Sequence, residues 1–188
     1  TYNAENRFTG WLDVPLSTEG IQEARAAALT LKNYRIDIAY TSKLKRAMQT
    51  LQIILDTRKE DLIPVIEHEA LNERHYGKLQ GLNKNEVENE YGKDQVLLWR
   101  RSYDAVPPGG ESLKDTAFRV IPYFQSTICA DLKQGLNVLV VAHGNSLRAI
   151  FKELDHISDE EIINLNIDTG RVYIYQFDEK IKIINKIT

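Results

Sequence analysis

The apolar residues of this chain follow two different spacings, which predict alternating strands and helices. The longest unbroken apolar run, Val138–Ala142, is rich in β-branched residues and predicts a strand buried on both faces. The alternating segment 36–40 and the short segment 63–66 predict two further strands. Because segments with helical spacing separate these runs, the predicted fold class is α/β, a three-layer α/β/α arrangement with a mostly parallel central sheet.

Residues that cap helices mark where the helical segments begin. The predicted caps are Ser17 or Thr18, Thr41 with Ser42, Asn83, Ser112, Asn145 or Ser146, and Ser158. An acidic residue follows Asn83 and Ser112 three positions later, which is the spacing of a capping box. Pro122 lies inside the long helix predicted after Ser112 and should kink it. The segments 172–177 and 181–187 predict two strands joined by a turn.

The length and composition are typical of one globular domain, here residues 1–188. No apolar stretch reaches the length of a membrane span, and the net charge of −3 argues against a nucleic-acid partner. The single cysteine, Cys129, cannot form an internal disulfide, and its apolar helical position predicts burial. The chain has no Cys or His spacing typical of a metal site, so no metal is expected, and the default compartment is a reducing cytoplasm.

A histidine follows the most apolar strand at the point where a helix should begin. His143 and Gly144 come directly after the run that ends at Ala142. Unpaired N–H groups and the helix dipole make a helix start favourable for an anion. In parallel sheets the carboxyl ends of the strands form the site, and Ser42 is predicted at the same edge. The alternative is a histidine that only ends a strand and forms local hydrogen bonds.

A second polar cluster and several cations strengthen the case for a site. The cluster is the loop Glu73-Arg74-His75-Tyr76-Gly77, and the cations along the chain are Arg46, Lys84, Arg100 and Arg101. Arginine holds phosphate through two parallel hydrogen bonds, and lysine holds it as a point charge. From the residues alone, two interpretations stay open: a pocket for a phosphorylated acid, and ordinary solvated surface charge.

Longer sequence motifs favour the first interpretation, a pocket for a phosphorylated acid. In chain order they are ENRFTGWLDVPLS, YTSKLKRA, LNERHYGKLQGLNK, WRRSYD, PPGGESLKDT, VIPY and VAHGNSLRA. Together they resemble the short form of the cofactor-dependent phosphoglycerate mutases, a family within the histidine phosphatase superfamily, over nearly the whole chain. The resemblance implies a glycolytic and gluconeogenic isomerase that interconverts 3-phosphoglycerate and 2-phosphoglycerate. It also implies a phosphohistidine intermediate primed by 2,3-bisphosphoglycerate.

The resemblance assigns roles to individual residues. Glu73 matches the general acid and base, His143 the second catalytic histidine, and Arg46 a phosphate clamp. The matching substrate-binding positions are Asn3, Thr9, Gly10, Arg74, His75, Tyr76, Lys84, Arg100, Arg101, Gly144 and Asn145. For His75 and Tyr76 the alternative is packing within the loop. Both tryptophans, Trp11 and Trp99, are interpreted as core residues.

The family's nucleophile has no counterpart in this sequence. It is a histidine in an R-H-G motif at the end of a first strand, just before the residues that match Thr1-Tyr2-Asn3. We therefore expect the natural protein to continue upstream, and we expect no turnover from the 188 residues by themselves. The expected partners are small-molecule phosphoglycerates, with neither nucleic acid nor membrane, and either a monomer or a homodimer fits.

Two other functions stay open at this point. One is a phosphatase of the same superfamily, which would hydrolyse a phosphoester through the same phosphohistidine. The other is a binding module that holds phosphoglycerates without turnover.

Overall fold

The computed structural model describes residues 6–60 and 62–187. Its sheet has three parallel strands in the order β2-β1-β3: β1 is Ile38–Thr41, β2 is Val65–Glu67 and β3 is Val138–Val141. A separate antiparallel pair follows, with β4 at Ile174–Phe177 and β5 at Ile183–Ile187. The predicted parallel sheet and the predicted terminal strand pair are both confirmed.

Seven α-helices are found in the described part of the chain. They are α1 Thr18–Thr30, α2 Lys45–Arg58, α3 Lys84–Tyr91, α4 Lys93–Arg101, α5 Leu113–Tyr123, α6 Cys129–Lys133 and α7 Gly144–Leu154. Short 3₁₀ turns occur at Glu69–Leu71, Gly77–Leu79 and Glu161–Asn164. The last of these replaces the short helix predicted after Ser158, whose hydroxyl accepts the N–H of Glu161 at 3.1 Å.

Alternating strand residues face two apolar layers, because successive side chains of a strand point to opposite faces. Tyr40 and Val140 pack with the apolar faces of α5 and α7. Ala39 and Val141 pack on the other side, with α1 and α2. The sheet therefore lies between two helical layers, which confirms the predicted α/β/α arrangement.

Two of the predicted helix starts are wrong, both at strand ends. Helix α2 begins at Lys45, and Leu44 caps it without a side-chain bond. Thr41 instead belongs to β1, and its hydroxyl donates to the carbonyl of Val141 at 2.8 Å. Helix α7 begins at Gly144, because His143 takes the cap position. At both sites the polar side chains bond across the sheet edge or within the first helical turn.

The remaining caps follow the sequence closely. Ser17 accepts the N–H of Gly20 at 2.9 Å and caps α1. Asn83 caps α3 through the N–H of Asn85, and Ser112 forms the predicted capping box with Asp115. These bonds lie within one turn of chain, so local sequence is sufficient to specify them.

The long helix predicted after Ser112 is interrupted where proline predicts a disturbance. Pro122 lies one residue before the end of α5, and a π-helical turn, Phe124–Ile128, separates α5 from α6. Proline has no N–H to donate to the preceding turn, so regular hydrogen bonding cannot continue through it. Cys129 follows the π turn and is buried as expected, which raises the pKa of its thiol.

A large cleft runs along one edge of the sheet. Within the described residues β3 pairs only with β1, and its other edge faces this cleft. The cleft has a volume of about 1070 Å³ and is lined by β3, β4 and the first residues of α7. His143 lies on its wall at the carboxyl end of β3. Among the described residues no helix is both long and apolar enough to cross a membrane.

Candidate active site

His143 occupies the strand end that the sequence predicts. Because β1 and β3 are paired in register from Ile38 to Thr41, the residues that follow them emerge side by side. Ser42 Oγ lies 2.7 Å from His143 Nε2, and the imidazole is only 8% exposed. Burial, followed by the charges of Arg46 and Arg119, lowers the pKa of His143 well below 6.5. The ring is therefore neutral at neutral pH.

Glu73 lies against the start of the helix that follows His143. Its Oε1 accepts the N–H of Asn145 at 3.1 Å and the N–H of Arg74 at 2.7 Å. The carboxylate thus occupies the N-terminal end of α7, where the helix dipole favours negative charge. A Cβ on Gly144 would lie 3.8 Å from Glu73 Oε2, an ordinary van der Waals distance, so Gly144 and the second carboxylate oxygen are close neighbours.

Arg46 links the cleft to the loop that precedes α1. Its guanidinium donates to the carbonyl of Leu12 at 3.1 Å and to the carbonyl of Gly10 at 2.8 Å. Burial lowers the pKa of Arg46, and the charge of Glu73 opposes that shift. A guanidinium stays protonated in proteins, so Arg46 places a fixed positive charge beside Glu73 and His143.

Three further cations lie on α3 and α4, and two of them, Arg100 and Arg101, do not line the cleft. Lys84 lines the cleft, and burial together with the charge of Arg100 lowers its pKa. Arg100 Nη1 is 3.9 Å from Glu88 Oε1, a long ion pair. Arg101 Nη1 donates to Asn166 Oδ1 at 3.4 Å, a weak bond. These loose contacts leave both arginines free to reorient towards an anion.

A buried network lies behind the cleft and centres on the hydroxyl of Tyr76. The hydroxyl accepts Arg74 Nη2 at 2.8 Å and Asn145 Nδ2 at 3.3 Å. Arg74 is fully buried, and its Nε and Nη1 have no acceptor among the described residues. Since both lone pairs of the Tyr76 oxygen are engaged, its own hydrogen is left to donate elsewhere.

Arg148, which is not among the site residues predicted from the sequence, completes this network. Its guanidinium donates to Asn145 Oδ1 at 3.1 Å and to the carbonyl of Ile162 at 2.6 Å. Burial, followed by the charges of Arg74 and Arg101, lowers the pKa of Arg148 to about 10. The bond to Oδ1 fixes the orientation of the Asn145 amide and directs its N–H₂ group towards Tyr76. A charged residue within an apolar helix face is the signal that could have identified it.

The structure brings most of the predicted site residues together. Eight of them line the cleft: Thr9, Gly10, Arg46, Glu73, Tyr76, Lys84, His143 and Gly144. Arg74 and Asn145 lie directly behind it, bonded to Tyr76. Asn3 lies outside the described residues. The roles assigned to these residues stay predictions.

His75 and the two tryptophans differ in their surroundings. The ring of His75 accepts the N–H of Gly77 at 3.0 Å, so in this structure it contributes to the turn rather than to the cleft wall. Trp99 is buried as predicted, but the core assignment of Trp11 is wrong. Trp11 is 38% exposed and donates its indole N–H to the carbonyl of Glu73. Its ring also lies edge-on to His75 at 5.3 Å.

The donors around the cleft fit an anion rather than a metal ion. Glu73 is surrounded by the backbone N–H groups of Arg74 and Asn145 and by the charge of Arg46. Within residues 6–60 and 62–187 no cluster of His, Cys, Asp and Glu could hold a metal ion.

Comparisons with known proteins agree with this geometry. The family model described as the histidine phosphatase superfamily (branch 1) matches residues 1–188. A 2,3-bisphosphoglycerate-dependent phosphoglycerate mutase of Cytophaga hutchinsonii is 54% identical over 180 residues, which cover 96% of this chain and 84% of the relative. The enzyme of that name from Parvibaculum lavamentivorans is 48% identical, over 98% of this chain and 89% of its own length.

Solved structures give the same fold. Bacillus stearothermophilus YhfR has a TM-score of 0.83 and 27% identity, covering 97% of this chain and 88% of its own. A mycobacterial glucosyl-3-phosphoglycerate phosphatase has a TM-score of 0.80 and 25% identity, covering 95% of this chain and 88% of its own. From the match along its full length and from the relatives at about half identity, the chain belongs to the histidine phosphatase superfamily.

Proposed function

We propose that this protein is a phosphoglycerate mutase that interconverts 3-phosphoglycerate and 2-phosphoglycerate. One observation carries the proposal: the carboxylate of Glu73 lies at the N-terminus of α7 in a cleft that His143, Arg46 and Lys84 also line. A reaction that moves a phosphoryl group between neighbouring hydroxyls needs a proton acceptor next to a phosphate site. The names of the mutase relatives support the same activity.

The residues of the cleft fit a bisphosphorylated primer. Arg46 and Lys84 provide positive charge on the cleft wall, and Arg74 has two guanidinium nitrogens without an acceptor among the described residues. Such donors suit phosphate and carboxylate groups. When bound, 2,3-bisphosphoglycerate would supply the phosphoryl group that primes the nucleophilic histidine. Arg46 and Lys84 would hold its charged groups, and Arg74 would add positive charge from behind the cleft wall.

Glu73 handles the proton in this proposal. Its Oε2 accepts the proton of the substrate hydroxyl as the oxygen of that hydroxyl bonds to phosphorus, and the bond from phosphorus to the histidine nitrogen breaks. In the opposite half-reaction Glu73 returns the proton to the leaving oxygen. His143 and Arg46 bind the phosphoryl oxygens and stabilise the charge that they carry in transfer. The nucleophile is the R-H-G histidine that the resemblance puts in front of Thr1.

A phosphatase is the second candidate, because one structural relative is a glucosyl-3-phosphoglycerate phosphatase. The two activities use the same phosphorylated histidine and differ in what receives the phosphoryl group. A mutase passes it to a glycerate hydroxyl, whereas a phosphatase passes it to water.

The proposed activity also suggests where the protein acts. Because the mutase reaction belongs to glycolysis and gluconeogenesis, we propose a cytoplasmic location.

The test uses a version of the protein in which the R-H-G segment precedes Thr1. It is incubated with 3-phosphoglycerate and a trace of 2,3-bisphosphoglycerate, and the products are followed by phosphorus NMR. The proposal expects 2-phosphoglycerate to accumulate to equilibrium with little inorganic phosphate. Inorganic phosphate as the main product would favour the phosphatase, and binding with neither product would favour the non-catalytic module.

A further inference from the structure

We infer that Arg119, with Glu111, is a positioning residue that fixes the backbone on both sides of Glu73. The inference rests on the proposed function, in which Glu73 transfers the proton. Arg119 belongs to α5, and Glu111 lies two residues before that helix begins. Neither residue lines the cleft.

The guanidinium of Arg119 binds a row of carbonyl oxygens in the segment that leads to Glu73. Its Nη1 donates to the carbonyl of Ala70 at 2.7 Å and to that of Asn72 at 3.0 Å. Its Nη2 donates to the carbonyl of Glu73 at 2.9 Å. One planar side chain therefore sets the path of four consecutive residues.

Glu111 extends the same contact to the other side of Glu73. Glu111 Oε1 accepts a hydrogen bond from Arg119 Nε at 2.9 Å, and Glu111 Oε2 accepts one from Arg119 Nη2 at 3.0 Å. The two residues therefore form a bidentate ion pair. The Oε2 atom also accepts the backbone N–H of His75 at 2.9 Å. Residues 70–75 are thus held at both ends by one ion pair, which we call the Arg119–Glu111 clamp.

The clamp determines where the carboxylate of Glu73 can lie. With the backbone fixed, Glu73 Oε1 remains within 3.1 Å of the Asn145 N–H at the start of α7. Trp11 reinforces this arrangement, because its indole N–H donates to the same Glu73 carbonyl and its ring lies 5.6 Å from the Arg119 guanidinium. A displacement of about 1 Å at a catalytic group can lower a rate about 10²-fold.

The chain contains a matched control for a clamp of this kind. Arg58 donates to the carbonyls of Leu31 and Tyr34, and its Nε pairs with Glu60 Oε2 at 2.6 Å. It lies near the end of α2, and Arg46 lies near the beginning. At 1.5 Å per residue these two positions are about 18 Å apart along the helix. Arg58→Ala therefore removes a similar set of bonds far from Glu73.

The test compares Arg119→Ala, Arg119→Lys, Glu111→Ala and Arg58→Ala in the version that carries the R-H-G segment. For Arg119→Ala we expect kcat to fall about 10²-fold with little change in KM, since the carboxylate is misplaced but Arg46, Lys84 and Arg101 remain to hold the substrate. Arg119→Lys keeps the charge but loses the planar fork, so it should recover only part of the rate. Arg58→Ala should lower Tm comparably and leave kcat unchanged.

Two further measurements separate positioning from simple stability. Adding guanidinium ion at a non-denaturing concentration should raise the kcat of Arg119→Ala and leave that of Arg58→Ala unchanged. The double variant Arg119→Ala/Glu111→Ala should be no slower than Arg119→Ala, since both changes open one clamp.

The outcomes for the clamp and for the proposed function are distinct. A wild-type protein that only releases phosphate overturns the mutase proposal, and the same variants are then compared in that reaction. If wild type turns over neither reaction, amide hydrogen exchange at residues 70–75 is compared instead, and equal exchange in Arg119→Ala and wild type overturns the clamp. If the wild type is active, two results overturn the clamp. One is an unchanged kcat in Arg119→Ala, and the other is an equal loss of kcat in Arg119→Ala and Arg58→Ala.

Discussion

Ser42 Oγ lies 2.7 Å from His143 Nε2, and this contact joins the carboxyl ends of two neighbouring parallel strands. Ser42 also accepts the N–H of Leu44 at 3.2 Å, which ties the pair to the turn before α2. The two residues are 101 positions apart in the chain. Their meeting depends on the in-register pairing of β1 with β3, and it orients the buried imidazole at the start of α7.

The buried state of His143 predicts a pH dependence of stability. Its pKa in the folded protein is well below 6.5 because of burial and of the charges of Arg46 and Arg119. The unfolded chain therefore takes up this proton first as the pH falls. The contribution to the free energy of unfolding is fully present above pH 6.5 and is lost progressively below it.

Replacing His143 should remove that part of the pH dependence. As the pH falls below 6.5, the free energy of unfolding of the wild type should decrease more steeply than that of His143→Asn. Urea unfolding at a series of pH values measures the difference. If the free energy of unfolding changed with pH in the same way in both proteins, a neutral, buried His143 would be contradicted.

Glu73→Gln tests the proton transfer directly. The amide keeps the shape of the side chain but cannot accept the hydroxyl proton, so kcat should fall about 10²–10⁴-fold. Binding of 3-phosphoglycerate, measured by calorimetry, should change much less. Glu67→Gln is the control, because Glu67 is exposed at the end of β2. Equal kcat values for the two variants would show that Glu73 serves only to cap α7.

Lys84→Ala and Arg101→Ala should act mainly on KM. Each removes a cation that holds a charged substrate in the ground state and in the transition state alike, and such a loss of uniform binding appears in KM. Steady-state kinetics with 3-phosphoglycerate measures the effect, and Lys93→Ala, at an exposed position at the start of α4, is the control. A loss confined to kcat would argue against binding roles.

Gly77 should tolerate a side chain less well than Gly109. Both have positive φ values, 57° and 68°, which cost an alanine about 1–2 kcal/mol. A Cβ on Gly77 would also lie 2.2 Å from the carbonyl oxygen of Pro108, whereas a Cβ on Gly109 would meet nothing within 4 Å. Gly77→Ala should therefore lose about 1–3 kcal/mol more than Gly109→Ala in urea unfolding. Equal losses would mean that the turn relaxes without cost.

The sequence alone determined the features that depend on neighbouring residues. The apolar run of β3, the helical spacing of α1 and α7, and the capping box of Ser112 with Asp115 each lie within a few residues. Their hydrogen bonds and buried faces are local or periodic, so the pattern of residue types is sufficient to predict them. The motifs around Glu73 and His143 likewise identified the candidate site before the fold was known.

Tertiary structure alone decided which polar groups bond across the chain. Thr41 and Ser42 suit a helix cap locally, yet they bond to β3 and to His143, because pairing of the strands offers those partners. Arg119 reaches the carbonyl of Glu73 across 46 positions, and Trp11 reaches it across 62, so neither contact leaves a trace in local spacing. Buried donors must find acceptors wherever the fold puts them, and only the packed chain specifies where those acceptors are.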